Sequence, residues 1–150
     1  MMRIRPAVPS DEPAIRACTE EAYTPYIAAI GRKPAPMVAD FKPQIAADQV
    51  HVAVDQNDNI LGFIVFFPKT DHIFLENVAV FSSTAGQGVG KALIAHCEAE
   101  TRKLGLRCVK LYTNEKMTRN LTFYPRLGYA ETGRRQQDGF NRVFFEKRLT

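Results

Sequence analysis

The sequence predicts an α/β (α+β) fold, in which a mixed, mostly antiparallel central sheet of about six or seven strands is flanked by about four helices. Three observations carry this prediction. Short apolar runs of strand type alternate along the chain with stretches of helical period. The apolar strand ending at Val80 runs through a short polar turn and the glycine-rich Ala85-Gly86-Gln87-Gly88-Val89-Gly90-Lys91 into an amphipathic helix. The chain has 150 residues, 45% hydrophobic and 24% charged, which suits one globular domain, residues 1–150, with its own core.

Arg3 to Val8 reads as a short strand. Pro9-Ser10-Asp11-Glu12-Pro13 starts a helix, with Ser10 its expected N-cap and Ile15, Cys18 and Ala22 on its apolar face. Pro25 breaks or kinks that helix, and a short helical piece follows from Tyr26 to Ile30. Gly31 to Pro43 holds Pro34, Pro36 and Pro43 and reads as a loop. Val50 to Val54 is a strand, 55–59 a turn, and Ile60 to Phe67 the hairpin partner, ended by Pro68. Ile73 to Val80 is the next strand. In the helix behind the glycines, Val89, Leu93, Cys97 and Leu104 form the apolar face, while Lys91, Glu98, Glu100, Arg102 and Lys103 point mostly outward. Gly105 ends it. Arg107 to Thr113 is a strand, Lys116 to Tyr124 a helix cut short by Pro125, and Tyr129 to Gly133 a strand. Gln136 to Gly139 is a turn, and Asn141 to Leu149 closes the sheet.

Glycines at 86, 88 and 90 let the backbone take positive φ and let a ligand approach bare N–H groups. The first N–H groups of the following helix lack internal acceptors, and the helix dipole adds positive charge there, so the turn suits a phosphate or pyrophosphate. The competing reading is a tight turn that needs glycine for geometry alone. The ATP-type loop G-x-x-x-x-G-K-[ST] does not fit, because Ala85 and Ala92 occupy its first glycine and its hydroxyl position. The dinucleotide pattern G-x-G-x-x-G does not fit the G-x-G-x-G spacing either. The stretch resembles the acyl-CoA pyrophosphate loop of the GNAT N-acetyltransferases, [QR]-x-x-G-x-[GA], with Gly88 and Gly90 in its last two defined positions and Ala85 in place of Gln or Arg. The resemblance continues through Leu111-Tyr112-Thr113-Asn114 and through Phe123-Tyr124-Pro125-Arg126-Leu127-Gly128-Tyr129, which is similar to the family's F-Y-x-x-x-G-[FY]. Asn120 and Met117 depart from the family's common Ala and Asn.

The resemblance implies the GNAT fold, with a splayed strand pair that holds acyl-CoA, and acetyl transfer from acetyl-CoA to a primary amine of a small molecule, peptide or protein. It implies main-chain contacts to the cofactor from Val78, Ala79 and Val80, and to its phosphates from Gly86, Gln87, Gly88, Val89, Gly90 and Lys91. Asn114 ends its strand as a candidate amide contact to the cofactor or a turn cap. Such transfer needs a neutral amine, which for a lysine-like group of pKa about 10.4 costs about 4.6 kcal/mol at pH 7. Glu76, the one acid in the strand Ile73 to Val80, is the candidate base; a structural ion pair or a solvent-facing position is the alternative. Tyr124 matches the family's tyrosine general acid for the CoA thiolate, against the alternative of an ordinary packed aromatic. Tyr23, Tyr26 and Ile30 are candidates to line the acceptor pocket or to pack on the sheet. A non-catalytic acyl-CoA-binding module of the same fold is the alternative function, and Ala85 is the residue that favours it.

Residues 101–150 carry twelve Lys and Arg against four Asp and Glu, whereas residues 1–100 carry eight against twelve. No helix-turn-helix or RNA-binding signature accompanies that basic half, so the reading is a rim that attracts CoA phosphates or a plain solvated surface, with no nucleic-acid partner. No run reaches the length of a membrane span, and Met1-Met2-Arg3-Ile4-Arg5-Pro6 lacks a signal-peptide core, so a cytoplasmic protein with no membrane partner is expected. The family's habit of dimerising suggests a homodimer. Cys97 and Cys108 fall on apolar positions of a helix and a strand, where a small buried hydrophobe is expected, and the three cysteines show no C-x-x-C spacing. His51, His72 and His96 lack metal-ligand spacing, His96 is placed on the polar side of its helix, and no metal is expected.

Overall fold

The structure is a computed structural model that describes residues 2–150. Its seven strands are β1 (Arg3–Pro6), β2 (Val50–Val54), β3 (Ile60–Pro68), β4 (Ile73–Val80), β5 (Cys108–Asn114), β6 (Ala130–Gln137) and β7 (Phe140–Arg148), and its helices are α1 (Glu12–Tyr23), α2 (Ile27–Ile30), α3 (Phe41–Ala46), α4 (Val89–Lys103) and α5 (Thr118–Arg126). The strands form one sheet in the order β1-β2-β3-β4-β5-β7-β6. This is the mixed α/β class that the sequence predicts. The chain groups into two compact units, one made of Met1–Phe66 with Asn77–Cys97, the other of Phe67–Glu76 with Glu98–Thr150.

In the first unit, β1 pairs antiparallel with β2, and β2 with β3. Val50, Val52 and Val54 alternate with His51 and Ala53, as the period of two requires. Ile15, Phe41, Val52 and Phe63 are fully buried, and the Phe41 and Phe63 rings meet edge-on with centroids 5.5 Å apart. Each such side chain contributes about 2 kcal/mol of transfer free energy. Three expectations are corrected here. Residues 31–43 are not all loop: a 3₁₀ turn spans Ala35–Val38, and α3 starts at Phe41. Pro43 is tolerated because it sits in the first turn of α3, where its N–H would have no acceptor, and Asp40 caps that end by accepting the Lys42 N–H. Nor is Ser10 an N-cap. The 3₁₀ turn Pro9–Asp11 precedes α1, and the Asp11 carboxylate accepts the Val8 N–H at 2.8 Å while pairing with Arg5 at 2.8 Å. His96 is also not turned to solvent: its ring lies 4.8 Å from that of His51, which stacks on Phe66 at 5.0 Å.

In the second unit, β5 pairs antiparallel with β7 from Cys108↔Arg148 to Asn114↔Arg142, and β7 with β6. The β6–β7 hairpin closes on Asp138 and Gly139, both at positive φ (54° and 79°), the requirement of a two-residue turn of primed type. β6 therefore runs into the predicted 136–139 turn as far as Gln137, and β7 begins directly after that turn, at Phe140. The parallel β4–β5 ladder covers Ile73↔Val109 and Phe74↔Lys110. Phe74, Tyr112 and Phe144 form a chain of half-buried rings with successive centroids 5.5 Å apart, and the Arg142 guanidinium lies 4.1 Å over Tyr112.

All three cysteines are buried, and burial pushes the Cys18 thiol up to about 12. No helix of the described residues is long and apolar enough to cross a membrane.

Candidate active site

The glycine-rich turn follows β4 and a 3₁₀ turn at Ser82–Thr84. Thr84 anchors its base: its hydroxyl donates to the carbonyls of Leu61 (3.1 Å) and Phe81 (2.9 Å). Gly86 and Gly88 adopt φ of 81° and 80°, and a Cβ at either would meet nothing within 4 Å, so glycine is required there by backbone conformation and not by crowding. Gly90 differs from the expectation. It lies inside the first turn of α4 with the ordinary φ of a helix, because the helix already begins at Val89. Among the described residues, the N–H groups of Gly88, Val89, Gly90 and Lys91 donate to no backbone carbonyl, whereas the Gln87 N–H is taken by the Thr84 carbonyl at 3.2 Å. An array of such amides at the positive end of a fifteen-residue helix suits an oxyanion of phosphate type.

The end of β4 is held by two devices within the same unit. Gly62 allows β3 to approach closely, since a Cβ there would meet the Ala79 carbonyl oxygen at 2.7 Å. Tyr23, buried at the end of α1, donates through its hydroxyl to Asn77 Oδ1 at 2.6 Å and lies 3.2 Å from the Val78 carbonyl. Of the three expected pocket residues, Tyr23 thus braces β4, while Tyr26 and Ile30 are half-buried. Burial alternates along β4, leaving Glu76, Val78 and Val80 half-exposed and Asn77 and Ala79 buried.

In the second unit, α5 carries Tyr124, 4% exposed, with the rings of Phe123, Tyr129 and Phe145 at 5.3, 5.8 and 5.8 Å. Pro125 does not stop this helix, which continues to Arg126. The turn beyond it closes the helix end: the N–H groups of Leu127 and Tyr129 both point to the Tyr124 carbonyl, at 3.0 and 3.1 Å, and that of Gly128 to the Pro125 carbonyl at 3.0 Å. The two departures from the family pattern are partners in space. The Asn120 side-chain amide donates to Thr113 Oγ1 at 2.9 Å and reaches the Met117 sulfur at 3.7 Å. Asn114 caps its own turn through Oδ1, which accepts the Lys116 N–H at 2.9 Å.

Sequence reasoning missed a further group. Glu98 is not outward on α4 but 8% exposed, accepting from the Tyr129 hydroxyl at 2.9 Å and from Lys147 Nζ at 3.0 Å. Leu104, read as apolar-face, is 57% exposed instead. Nothing local in the sequence marks this position, because its partners lie 31 and 49 residues away. Among the described residues no group of three His, Cys, Asp or Glu is placed to hold a metal ion.

Residues 15–129 match the model of the acetyltransferase (GNAT) family. The chain is 30% identical over 109 residues to the peptidyl-lysine N-acetyltransferase YjaB of Salmonella typhimurium, a match that spans 72% of this chain and 66%, just under two thirds, of that relative. In fold it is similar to the PaiA N-acetyltransferase of Thermoplasma acidophilum solved with coenzyme A (TM-score 0.81, 17% identity, 99% of each chain). It is equally similar to a Desulfovibrio desulfuricans structure assigned to the GNAT family (TM-score 0.80, 20% identity, 100% of each chain). The family match runs from α1 through the glycine turn to Tyr129, and the chain belongs to the GNAT acetyltransferase family.

Proposed function

We propose that this chain is an acetyl-CoA-dependent N-acetyltransferase, one catalytic domain acting in the cytoplasm, that acetylates a primary amine of a small molecule or of a peptide or protein by direct attack. The observation that carries this reading is the run of unengaged amides from Gly88 to Lys91 at the start of α4. They grip the pyrophosphate through main chain, so the loss of a Gln or Arg side chain at Ala85 leaves the grip in place. Acetyl-CoA, when bound, supplies an activated thioester. The main chain of Val78, Ala79 and Val80 holds the pantetheine arm as an added strand and polarises the thioester carbonyl. Glu76 takes the amine proton, directly or through water, and the neutral nitrogen forms the new C–N bond as the C–S bond breaks. The Tyr124 hydroxyl gives its proton to the departing sulfur, and the proton shed by the newly acylated nitrogen restores it through water.

The test is release of free CoA thiol from acetyl-CoA across a panel of amines, polyamines, amino acids and peptides, with calorimetry of CoA binding. Tyr124→Phe lowers kcat by about tenfold or more while CoA affinity stays unchanged. Turnover on no amine, with CoA binding intact, turns the reading into a non-catalytic acyl-CoA-binding module; no heat from CoA at millimolar levels removes it altogether.

A further inference from the structure

We propose that Glu98, Lys147 and Tyr129 form a lock that positions Tyr124 and that it acts on turnover through that tyrosine alone. The inference rests on the reading of Tyr124 as proton donor. Three elements distant in sequence meet at the turn after α5. Glu98 of α4 receives Lys147 Nζ of β7 on one carboxylate oxygen (3.0 Å) and the Tyr129 hydroxyl on the other (2.9 Å). Lys147 Nζ also donates to the Leu127 carbonyl at 2.8 Å, so one ammonium ties the carboxylate to the end of the helix.

Each atom of this lock leads back to Tyr124. The Leu127 whose carbonyl is held donates its own N–H to the Tyr124 carbonyl, and Tyr129, held by its hydroxyl, donates its N–H to the same oxygen and lays its ring against that of Tyr124. Gly128 completes the fit. At φ +96° it takes the left-handed conformation that turns the chain, and a Cβ there would meet Lys147 Cε at 3.2 Å. The ammonium also answers the negative end of the α5 dipole. An ion pair this elaborate is not needed for a turn alone, since a glycine in the left-handed conformation already closes one. It is suited to a group whose hydroxyl must be held within a fraction of an ångström.

The experiment is a double-mutant cycle on the whole protein, reading kcat, the amine KM, CoA affinity by calorimetry and the thermal midpoint. Lys147→Met lowers kcat by about tenfold with CoA affinity within about twofold, and Tyr129→Phe, which keeps the ring and removes one hydrogen bond, lowers it by about threefold. In the Tyr124→Phe background neither change lowers kcat further, which a merely structural role would not produce. If Tyr124→Phe lowers kcat but Lys147→Met is silent or additive with it, the lock is overturned and Tyr124 stands. If Tyr124→Phe is itself silent, the proton-donor reading falls and the lock with it. Should Lys147→Met not fold, Tyr129→Phe takes its place in the cycle, and the same two results decide for or against the lock.

Discussion

The glycine turn before α4 and the turn after α5 are built by opposite means. The first is exposed, holds two glycines at positive φ with empty space around them, and offers its own N–H groups outward. The second turns its N–H groups inward to the Tyr124 and Pro125 carbonyls and is clamped by a carboxylate, an ammonium and a phenol. A site made of main chain tolerates side-chain change and fails on backbone change, whereas a site made of side chains fails when any one is removed. That difference explains how Ala85 is compatible with an anion site.

The largest expected effect breaks the clamped turn. Glu98→Ala leaves Lys147, 26% exposed at its side chain, without a carboxylate, and costs about 2–3 kcal/mol in denaturant unfolding. Next comes the backbone of the open turn. Gly88→Ala forces a Cβ onto φ +80°, lowers stability by about 1 kcal/mol, and weakens CoA binding in calorimetry. Gln87→Ala sharpens the contrast by doing little: its side chain is exposed, so stability moves by less than about 0.5 kcal/mol and CoA affinity holds within about twofold. The smallest effect concerns Glu21, whose carboxylate accepts the Ser82 N–H just upstream of the open turn. The Ser82 hydrogen bonds hold its carboxyl below the usual carboxylate range. The ionised contact therefore contributes above the unfolded pKa of about 4.3 and is lost as pH falls through the lower folded value. Thermal midpoints of Glu21→Gln and the parent should differ slightly and equally at pH 8 and pH 5, then converge below about pH 4.

Much of the open turn is legible in the sequence because its signal is local: a mostly apolar run along 73–80, then glycines at 86 and 88 against a helical period. Tyr124 is legible for the same reason, within a seven-residue pattern. The clamp is not. Glu98 finds its partners 31 and 49 residues away, and among neighbours such as Glu100 and Arg102 nothing local separates a buried carboxylate from solvated ones. Pro43 and Pro125 are easily over-read as breakers, since one stands in a first turn and the other in a last turn, one residue before its helix ends. Glycine at 90 is over-read in the same way, because helix geometry claims it first.

The burial of Cys18, Cys97 and Cys108 has a practical corollary. A chromogenic disulfide reagent added to the folded protein meets no accessible sulfhydryl of its own, so colour tracks released coenzyme with little background. Once the chain opens, the same dye titrates three new groups. One cuvette can then follow turnover in the native state and, on heating or adding urea, the moment that state is lost.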